Sequence, residues 1–596
     1  MTVNPTNMCW SLRVIQILSL IAYLHAFTPR SPLPSSKGRE YRCNYAKATS
    51  FLYSSSESIN EDVEEDCDIV VFGGGFGGLY TALAIHNLQQ QDALQKKFKI
   101  VLVEPTEQFV FLPLLYDLTV GTATEQEVCP TYNDILQNTN IKHIRASFDS
   151  IEMIDTGNDN RSITASIRPV NDGRSSSKRR VTPTKLNMKA AIIAVGASPD
   201  SIIVSVPGAK EFVQPFYTAN DAKQTRRLLN HLEKQEQPPR IAVIGGGFCG
   251  VELAASVQRR LPKAQVHLLC RGKPMANTRA EDLVDKALKK LGVIIEPCNV
   301  KSFKVADSNN ETNEASYMSP KIRIARTKWG VKSSDDDEFV DAAPWDAVLW
   351  TAGSLPADPV SKKGCDCLPK SASGRIAVDK TLRCLPLSSE GSNMVTTKPK
   401  TWALGDCAEI AESASDMKVI PKTAQVAMQQ ADTVAANVLA QLQYEEGIVT
   451  NLVPAKEFVY QDLGSMLTLG GPNAAVLAPK DDTTLGPIFA PLLDIAGAAL
   501  GITDNVLISL GRTPIVEQLG IPTQEKLGLS LGSYGLGVTE APKGTLAGTL
   551  AGAARRTVYA ARMPTNQQRA VSLISATIST AAALIKENAD RNKKID

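Results

Sequence analysis

Cys67-Asp68-Ile69-Val70-Val71-Phe72-Gly73-Gly74-Gly75-Phe76-Gly77-Gly78-Leu79-Tyr80 is an apolar strand pattern that runs into a glycine-rich turn and then into a helix. The turn spells G-x-G-x-x-G at Gly73, Gly75 and Gly78. In such a turn the first glycine permits the bend, the second lets a pyrophosphate approach the backbone, and the third lets the helix close on the strand. Phe76 and Gly77 lie between them, at the positive end of the helix where amide N–H groups face the phosphates. An ADP-containing cofactor is the natural occupant. Glycine-rich turns also serve as plain loop punctuation, so the context decides. A second strand, Lys99-Ile100-Val101-Leu102-Val103, ends at Glu104, where the fingerprint places an acceptor for ribose hydroxyls. A solvated strand-end charge is the bland reading of the same residue.

At 596 residues the chain is too long for one core. Its 64 Lys and Arg against 62 Asp and Glu leave a formal charge of +2, which marks neither a nucleic-acid binder nor an acidic solvating tail. The expected partners are small molecules and lipid. Eleven cysteines without a fixed rhythm suit reduced thiols in an enzyme, and no pair of C-x-x-C motifs is present to hold zinc, so no metal site is expected.

The N-terminus reads as an address. Arg13 precedes an apolar run from Val14 to Leu24 that is too short to span a membrane, and Ala26 offers a small residue for cleavage. From Phe27 to Ser56 the chain is rich in Ser, Arg and Lys, with Glu40 its single acidic residue, which is transit-peptide composition. This two-part leader, 1–26 and then 27–65 with its acidic linker, resembles the address of plastids bounded by extra membranes. The Ala26-Phe27 junction resembles that of diatoms and related algae. Simple secretion is the alternative.

The strand, glycine turn and helix then recur. Arg240-Ile241-Ala242-Val243-Ile244 leads to Gly245, Gly247 and Gly250 in a second G-x-G-x-x-G, followed by the strand Gln265-Val266-His267-Leu268-Leu269. Each copy closes alike, with Gly196-Ala197-Ser198-Pro199 in the first and Gly353-Ser354-Leu355-Pro356 in the second. Two dinucleotide fingerprints are far more specific than one. Thr401-Trp402-Ala403-Leu404-Gly405-Asp406 adds a strand that ends in Gly-Asp.

On these motifs the chain resembles the two-dinucleotide-domain flavoproteins: an α/β fold of two Rossmann-like units, the first for FAD and the second for NAD(P)H. The resemblance makes Asp406 the ligand of the flavin's ribityl chain. It implies an FAD-binding part over 66–237 and 354–445, an NAD(P)H-binding part over 238–353, and a C-terminal region over 446–596. Disulfide reductases of this architecture need a C-x-x-x-x-C or C-x-x-C pair, and no two cysteines here have either spacing.

Pro421-Lys422-Thr423-Ala424-Gln425-Val426-Ala427-Met428-Gln429-Gln430 resembles the A-Q-x-x-x-Q signature of type II NAD(P)H:quinone oxidoreductases, and more narrowly the plastid branch that reduces plastoquinone or demethylphylloquinone. The resemblance implies that Gln425 and Gln429, one helical turn apart, offer amides to quinone carbonyls. It also implies that Glu252 is a carboxylate near the nicotinamide; a helix N-terminal charge is the structural alternative. At the end of the second-unit strand, where an acid would bind the ribose of NADH, this chain has Cys270 and Arg271, which favours NADPH over NADH. Exposed loop charge is the alternative for Arg271.

The C-terminal stretch Arg555-Arg556-Thr557-Val558-Tyr559, followed by Val571 to Ile585, is basic and apolar at helical spacing, which fits a membrane interface or the protein's own core equally well. The expectation is a peripheral enzyme at a thylakoid or plastoglobule surface, with a homodimer as its simplest assembly. The region between Leu477 and Thr545 matches no part of the family pattern. Other acceptors (sulfide:quinone, ferredoxin or monodehydroascorbate chemistry) and a nucleotide-sensing flavoprotein module remain the competing readings.

Overall fold

The computed structural model describes residues 64–91, 97–155, 161–170, 184–306, 321–329, 339–340, 343–386, 399–411, 420–471, 473–477, 545–576 and 578–579. Residues 1–63 of the leader, the polar loops around 173–180 and 307–318, and nearly all of 477–545 lie outside them.

The first half is built on β1 (Glu64–Phe72), α1 (Phe76–Gln91), β2 (Ile100–Val103), α2 (Leu115–Val120), α3 (Glu125–Val128), β3 (Ile141–Ile144), β4 (Ala146–Asp155), β5 (Arg161–Pro169) and β6 (Thr184–Ile193). β1, β2 and β3 are parallel neighbours, and β6 lies parallel on the other side of β1. A parallel strand covered on both faces must be apolar throughout rather than alternating. Accordingly Ile69 to Phe72 and all of β2 are buried.

β6 changes partners along its length. Its first half pairs antiparallel with β5, which pairs with β4. Its last three residues pair instead with a strand from far downstream, Thr401–Ala403.

The second unit repeats the plan with β7 (Gln214–Pro215), α4 (Ala219–Leu232), β8 (Arg240–Ile244), α5 (Phe248–Arg260), β9 (Gln265–Cys270), α6 (Glu281–Leu291), β10 (Ile294–Val305), β11 (Ile322–Lys328), β12 (Phe339–Val340) and β13 (Ala347–Trp350). β8 sits between β9 and β13, all parallel, while β10, β11 and β12 run as an antiparallel meander. Then come β14 (Thr401–Ala403), which returns to the first sheet, and α7 (Ala424–Glu445), which packs on α1. β15 (Ser465–Thr468), β16 (Ala474–Leu477) and β17 (Thr545–Gly548) form a small antiparallel sheet covered by α8 (Thr549–Arg562). Two Rossmann-like units in one α/β chain are therefore observed, as the duplicated motif predicts.

Candidate active site between two glycine turns

The register of the first sheet sets one half of the site. Phe72 pairs with Ile193, and Ile193 pairs with Ala403. The residues that follow all three strands therefore emerge at one edge: Gly73, Ala194, and Leu404 with Gly405-Asp406. Ala194 N donates to Phe72 O at 2.8 Å and Leu404 N to Ile193 O at 3.1 Å, fixing that alignment.

Each glycine of the first turn does a different job. Gly73 has φ +98°, and a Cβ there would lie 2.4 Å from Ala194 O. A Cβ on Gly78 would lie 1.8 Å from Gly73 O, so only glycine lets α1 close on the turn. Gly75 has no heavy atom within 4 Å of its Cβ position and is exposed. It is an opening at the start of a helix, the kind of place where backbone N–H groups can receive an anion.

Gly74 N donates to Glu104 Oε2 at 2.7 Å, and Thr106 donates to Oε1 through both N (3.1 Å) and Oγ1 (2.9 Å). Glu104 thus braces the turn and lines a cleft of about 620 Å³ with Gly73, Val103, Ser147, Asp149 and Arg168. Tyr132, which sequence reasoning missed, donates to Gly74 O at 2.8 Å from the other side. Phe76 points away from the cleft into an aromatic cluster with Phe109 and Phe111, ring centroids 5.3 Å apart in both cases. Gly77 lies against Ala194 and Leu404. Gly196, at φ +70°, is open at the same edge.

The second turn copies the first almost atom for atom. Gly245 has φ +124°, a Cβ on Gly250 would lie 1.7 Å from Gly245 O, and Gly247 has nothing within 4 Å. Gly245 N donates to Leu269 O at 2.9 Å, which puts the Cys270-Arg271 step beside the turn. The Cys270 thiol bends back to Gly272 O at 3.2 Å, and burial pushes its pKa up to about 11, so it is an inert packing group. Arg271 is exposed. Gly353, φ +71°, closes this unit with Ile202 against it.

At the Gly-Asp turn, Gly405 N receives no strand partner; its hydrogen goes to Gln430 Oε1 at 2.8 Å. Arg375 Nε donates to Asp406 O at 3.0 Å. Burial holds the Asp406 carboxyl above the usual carboxylate range, although Lys422 and Arg375 pull it down. Asp406, Lys422, Thr423 and Gln430 line a second cleft of about 190 Å³.

Helix α7 starts there, with Thr423 Oγ1 capping Val426 N at 3.3 Å. Gln425 and Gln429 do share a face, but their amides are engaged by an extended strap that follows the helix. Gln425 Oε1 accepts from Tyr460 Oη (3.0 Å) and Leu463 N (3.3 Å) while its Nε2 donates to Gly464 O (3.2 Å). Gln429 exchanges both bonds with Gln461, at 2.9 and 3.0 Å. Among the described residues each amide uses one of its two N–H groups. The pairing of the strap with the glutamines is not legible in the sequence.

The strap continues into β15, and Thr468 N donates to Glu252 Oε1 at 2.8 Å. One short segment therefore ties the helix carrying Gln425 and Gln429 to the second unit's Glu252. That carboxyl is only 7% exposed. Burial pushes its pKa up to about 7, outweighing the lowering by Arg555 and Thr468 N, while Asp117 raises it further and Tyr116 hydrogen-bonds it. The Tyr116 ring stacks on Phe216, centroids 5.4 Å apart, and its hydroxyl meets Cys249 and Glu252.

A group with a folded-state pKa above its unfolded value stays protonated longer in the folded chain. Glu252 therefore makes stability fall as pH rises from about 4.5 to about 7, and adds no slope above that. We expect Glu252→Gln to gain stability relative to wild type between pH 5 and 8. Thermal midpoints of both proteins at the two pH values measure this; a constant difference would mean that Glu252 ionises normally.

Of the two readings of the basic C-terminal stretch, its arginines follow the one that packs into the protein's own core. Arg555 and Arg556 do not face outward towards lipid headgroups: they are 1% and 5% exposed and paired inside the protein. Arg555 Nη2 binds Asp117 Oδ2 at 2.7 Å, and Arg556 reaches Asp117 Oδ1 at 3.3 Å and Glu127 Oε1 at 2.5 Å. Two acids in the loop-and-helix segment after β2 took these cations, a long-range match that no local pattern reveals.

The pyridine nucleotide-disulphide oxidoreductase family pattern matches residues 67–431. The alternative NAD(P)H-ubiquinone oxidoreductase C1, chloroplastic/mitochondrial, of Arabidopsis thaliana is 31% identical over 421 residues, covering 68% of this chain and 72% of that protein. The chain belongs to the type II NAD(P)H:quinone oxidoreductases. Demethylphylloquinone reductase NdbB of Synechocystis is 28% identical over 421 residues, covering 70% of this chain and 88% of that protein. The fold agrees with the solved structure of NDH2 from Plasmodium falciparum in complex with NADH, at TM-score 0.51 and 16% identity over 69% of this chain and 90% of that one. As a type II enzyme the protein is an oxidoreductase that uses FAD and NAD(P)H.

Proposed function

We propose that this type II oxidoreductase carries two electrons from NADPH to a plastid membrane quinone of the plastoquinone or demethylphylloquinone kind. The reading is carried by the single edge at which the Gly73 turn and Gly405-Asp406 emerge together, with α7 and the strap leading from there to Glu252. In it the first turn and Glu104 hold the ADP part of FAD, Asp406 its ribityl chain, and the second turn the nicotinamide nucleotide. The chemistry supplied by FAD is two-electron transfer between a nicotinamide donor and a quinone acceptor.

The chain's own groups orient and exclude. Gly75 and Gly247 admit the two pyrophosphates. Gln425 and Gln429, held by the strap, keep one N–H each for quinone carbonyls. Glu252, half-ionised near pH 7, can hold or release a proton at the far end of the strap. Arg271 pairs with a 2′-phosphate, and the neighbouring Cys270 offers no carboxylate to repel one.

The relatives named for chloroplasts and for demethylphylloquinone support the plastid and the acceptor. Among the described residues no helix is long and apolar enough to cross a membrane. Ile574 and Ile578, one turn apart and 46% and 65% exposed, suit a peripheral contact. The signal and transit segments ahead of the acidic linker are removed on import, and a homodimer is the assembly we favour.

The flavin-loaded protein should oxidise NADPH with a short-chain quinone as acceptor. In Arg271→Glu the NADPH-to-NADH preference in kcat/KM should fall by about one to two orders of magnitude, the worth of a charge-assisted pair replaced by repulsion. Oxidation of neither nucleotide with any quinone would sink the reading.

A further inference from the structure

Four tryptophans lie among the described residues. Trp345, Trp350 and Trp402 are buried at 0%, 4% and 2% exposure, whereas Trp329 is 46% exposed. A half-exposed indole forgoes much of the burial that makes the residue useful in a core, so its position calls for a reason.

That position is the carboxyl end of the second sheet. Trp329 directly follows β11, and its N donates to Pro297 O at 3.3 Å. Pro297 is the register partner of Cys270, the last residue of β9. The indole therefore stands over the loop Arg271-Gly272-Lys273. Gly272 has φ +79°, and a Cβ there would lie 3.3 Å from Trp329 Nε1 and 3.7 Å from its Cδ1. The Nε1–Cδ1 part of the ring lies against that loop, and nearly half of the side chain is exposed. In open α/β sheets ligands bind beyond the carboxyl ends of the strands, and the open Gly247 marks where the pyrophosphate enters.

We propose that Trp329 is one wall of the adenine subsite of the second unit, stacking its open face on the purine of the nicotinamide nucleotide. The proposal rests on reading that unit as the NAD(P)H site. Stacking acts on the base that NADH and NADPH share, so Trp329 sets affinity for both, while Arg271 sets the preference between them. Sequence reasoning gave Trp329 no role because it sits within the meander, some sixty residues from Arg271, and only the β9–β10–β11 register brings the two together.

The test uses the flavin-loaded full chain, whose first site is occupied, titrated with 5′-AMP and with 2′,5′-ADP. Neither probe can reduce the flavin. In wild type both should quench tryptophan fluorescence. By calorimetry Trp329→Leu should weaken both by about tenfold or more, Trp329→Phe should recover most of the affinity, and Arg271→Glu should weaken 2′,5′-ADP alone. Wild-type affinity of Trp329→Leu for both probes would overturn the stacking role while leaving the nucleotide reading intact. Binding of neither probe to wild type would overturn both.

Discussion

Arg556→Met is expected to destabilise the folded chain by about 3–5 kcal/mol, the usual consequence of removing one partner of a buried ion pair. Arg556 is held by Glu127 Oε1 at 2.5 Å, Asp117 Oδ1 at 3.3 Å, Thr122 O at 3.0 Å and Ser575 Oγ at 3.0 Å. Glu127 itself is 0% exposed, so without the guanidinium its carboxylate has neither water nor a counter-charge. The damage comes from the charge left behind and not from the lost attraction. Replacing both Arg556 and Glu127 by methionine should therefore recover most of the stability, since well-packed apolar isosteres match or exceed a buried pair. Arg145 supplies the control: its pair with Glu107 is 34% and 67% exposed, and Arg145→Met should cost under about 1 kcal/mol. Urea unfolding followed by circular dichroism measures all three. Arg556→Met within 1 kcal/mol of wild type would mean that α8 is not docked through this network.

The same network shows where local sequence reading stops. Strand, turn and helix are local, so β1 to β2, the duplicated turn and α7 could all be read from apolar runs and glycine spacing. Glu104, Gly75 and Gly247 could be picked out because the fingerprint fixes their offsets; in the fold Glu104 accepts from Gly74 N and both glycines face open space. Asp406 is different: nothing local distinguishes a Gly-Asp at the end of a short strand. It became legible only through resemblance, and the pairing of β14 with β6 explains it physically. The glutamines were found by their motif, but their bonds to Tyr460, Gln461 and Gly464 depend on a strap some thirty residues away. The Arg555 and Arg556 stretch was balanced between membrane and core, because a basic helix has the same periodicity in both settings. What decides it is the charge of Asp117 and Glu127 on a segment more than four hundred residues earlier. The aromatic wall at Trp329 was invisible for the same reason.

Gly75→Val and Gly247→Val should separate the two sites. Both glycines face open space, with no heavy atom within 4 Å of a Cβ, so the extra side chain meets no protein and should leave the fold in place. It fills the space through which a pyrophosphate reaches the helix N-terminus. For Gly75→Val the flavin absorbance per chain should fall to below about a tenth of wild type, while its circular dichroism matches wild type stripped of flavin. For Gly247→Val the flavin content should stay near wild type, and NADPH should no longer bleach the visible band at concentrations that bleach wild type fully. Gly78→Ala is the contrast, because its Cβ would lie 1.8 Å from Gly73 O and α1 could close only by shifting. That variant should lose flavin and thermal stability together, by about 1–3 kcal/mol of overpacking strain. An exchange of the two phenotypes, with Gly247→Val losing flavin and Gly75→Val keeping it, would reverse the assignment of FAD to the first unit. Retention of both activities by both valine variants would show that neither opening is a phosphate cradle.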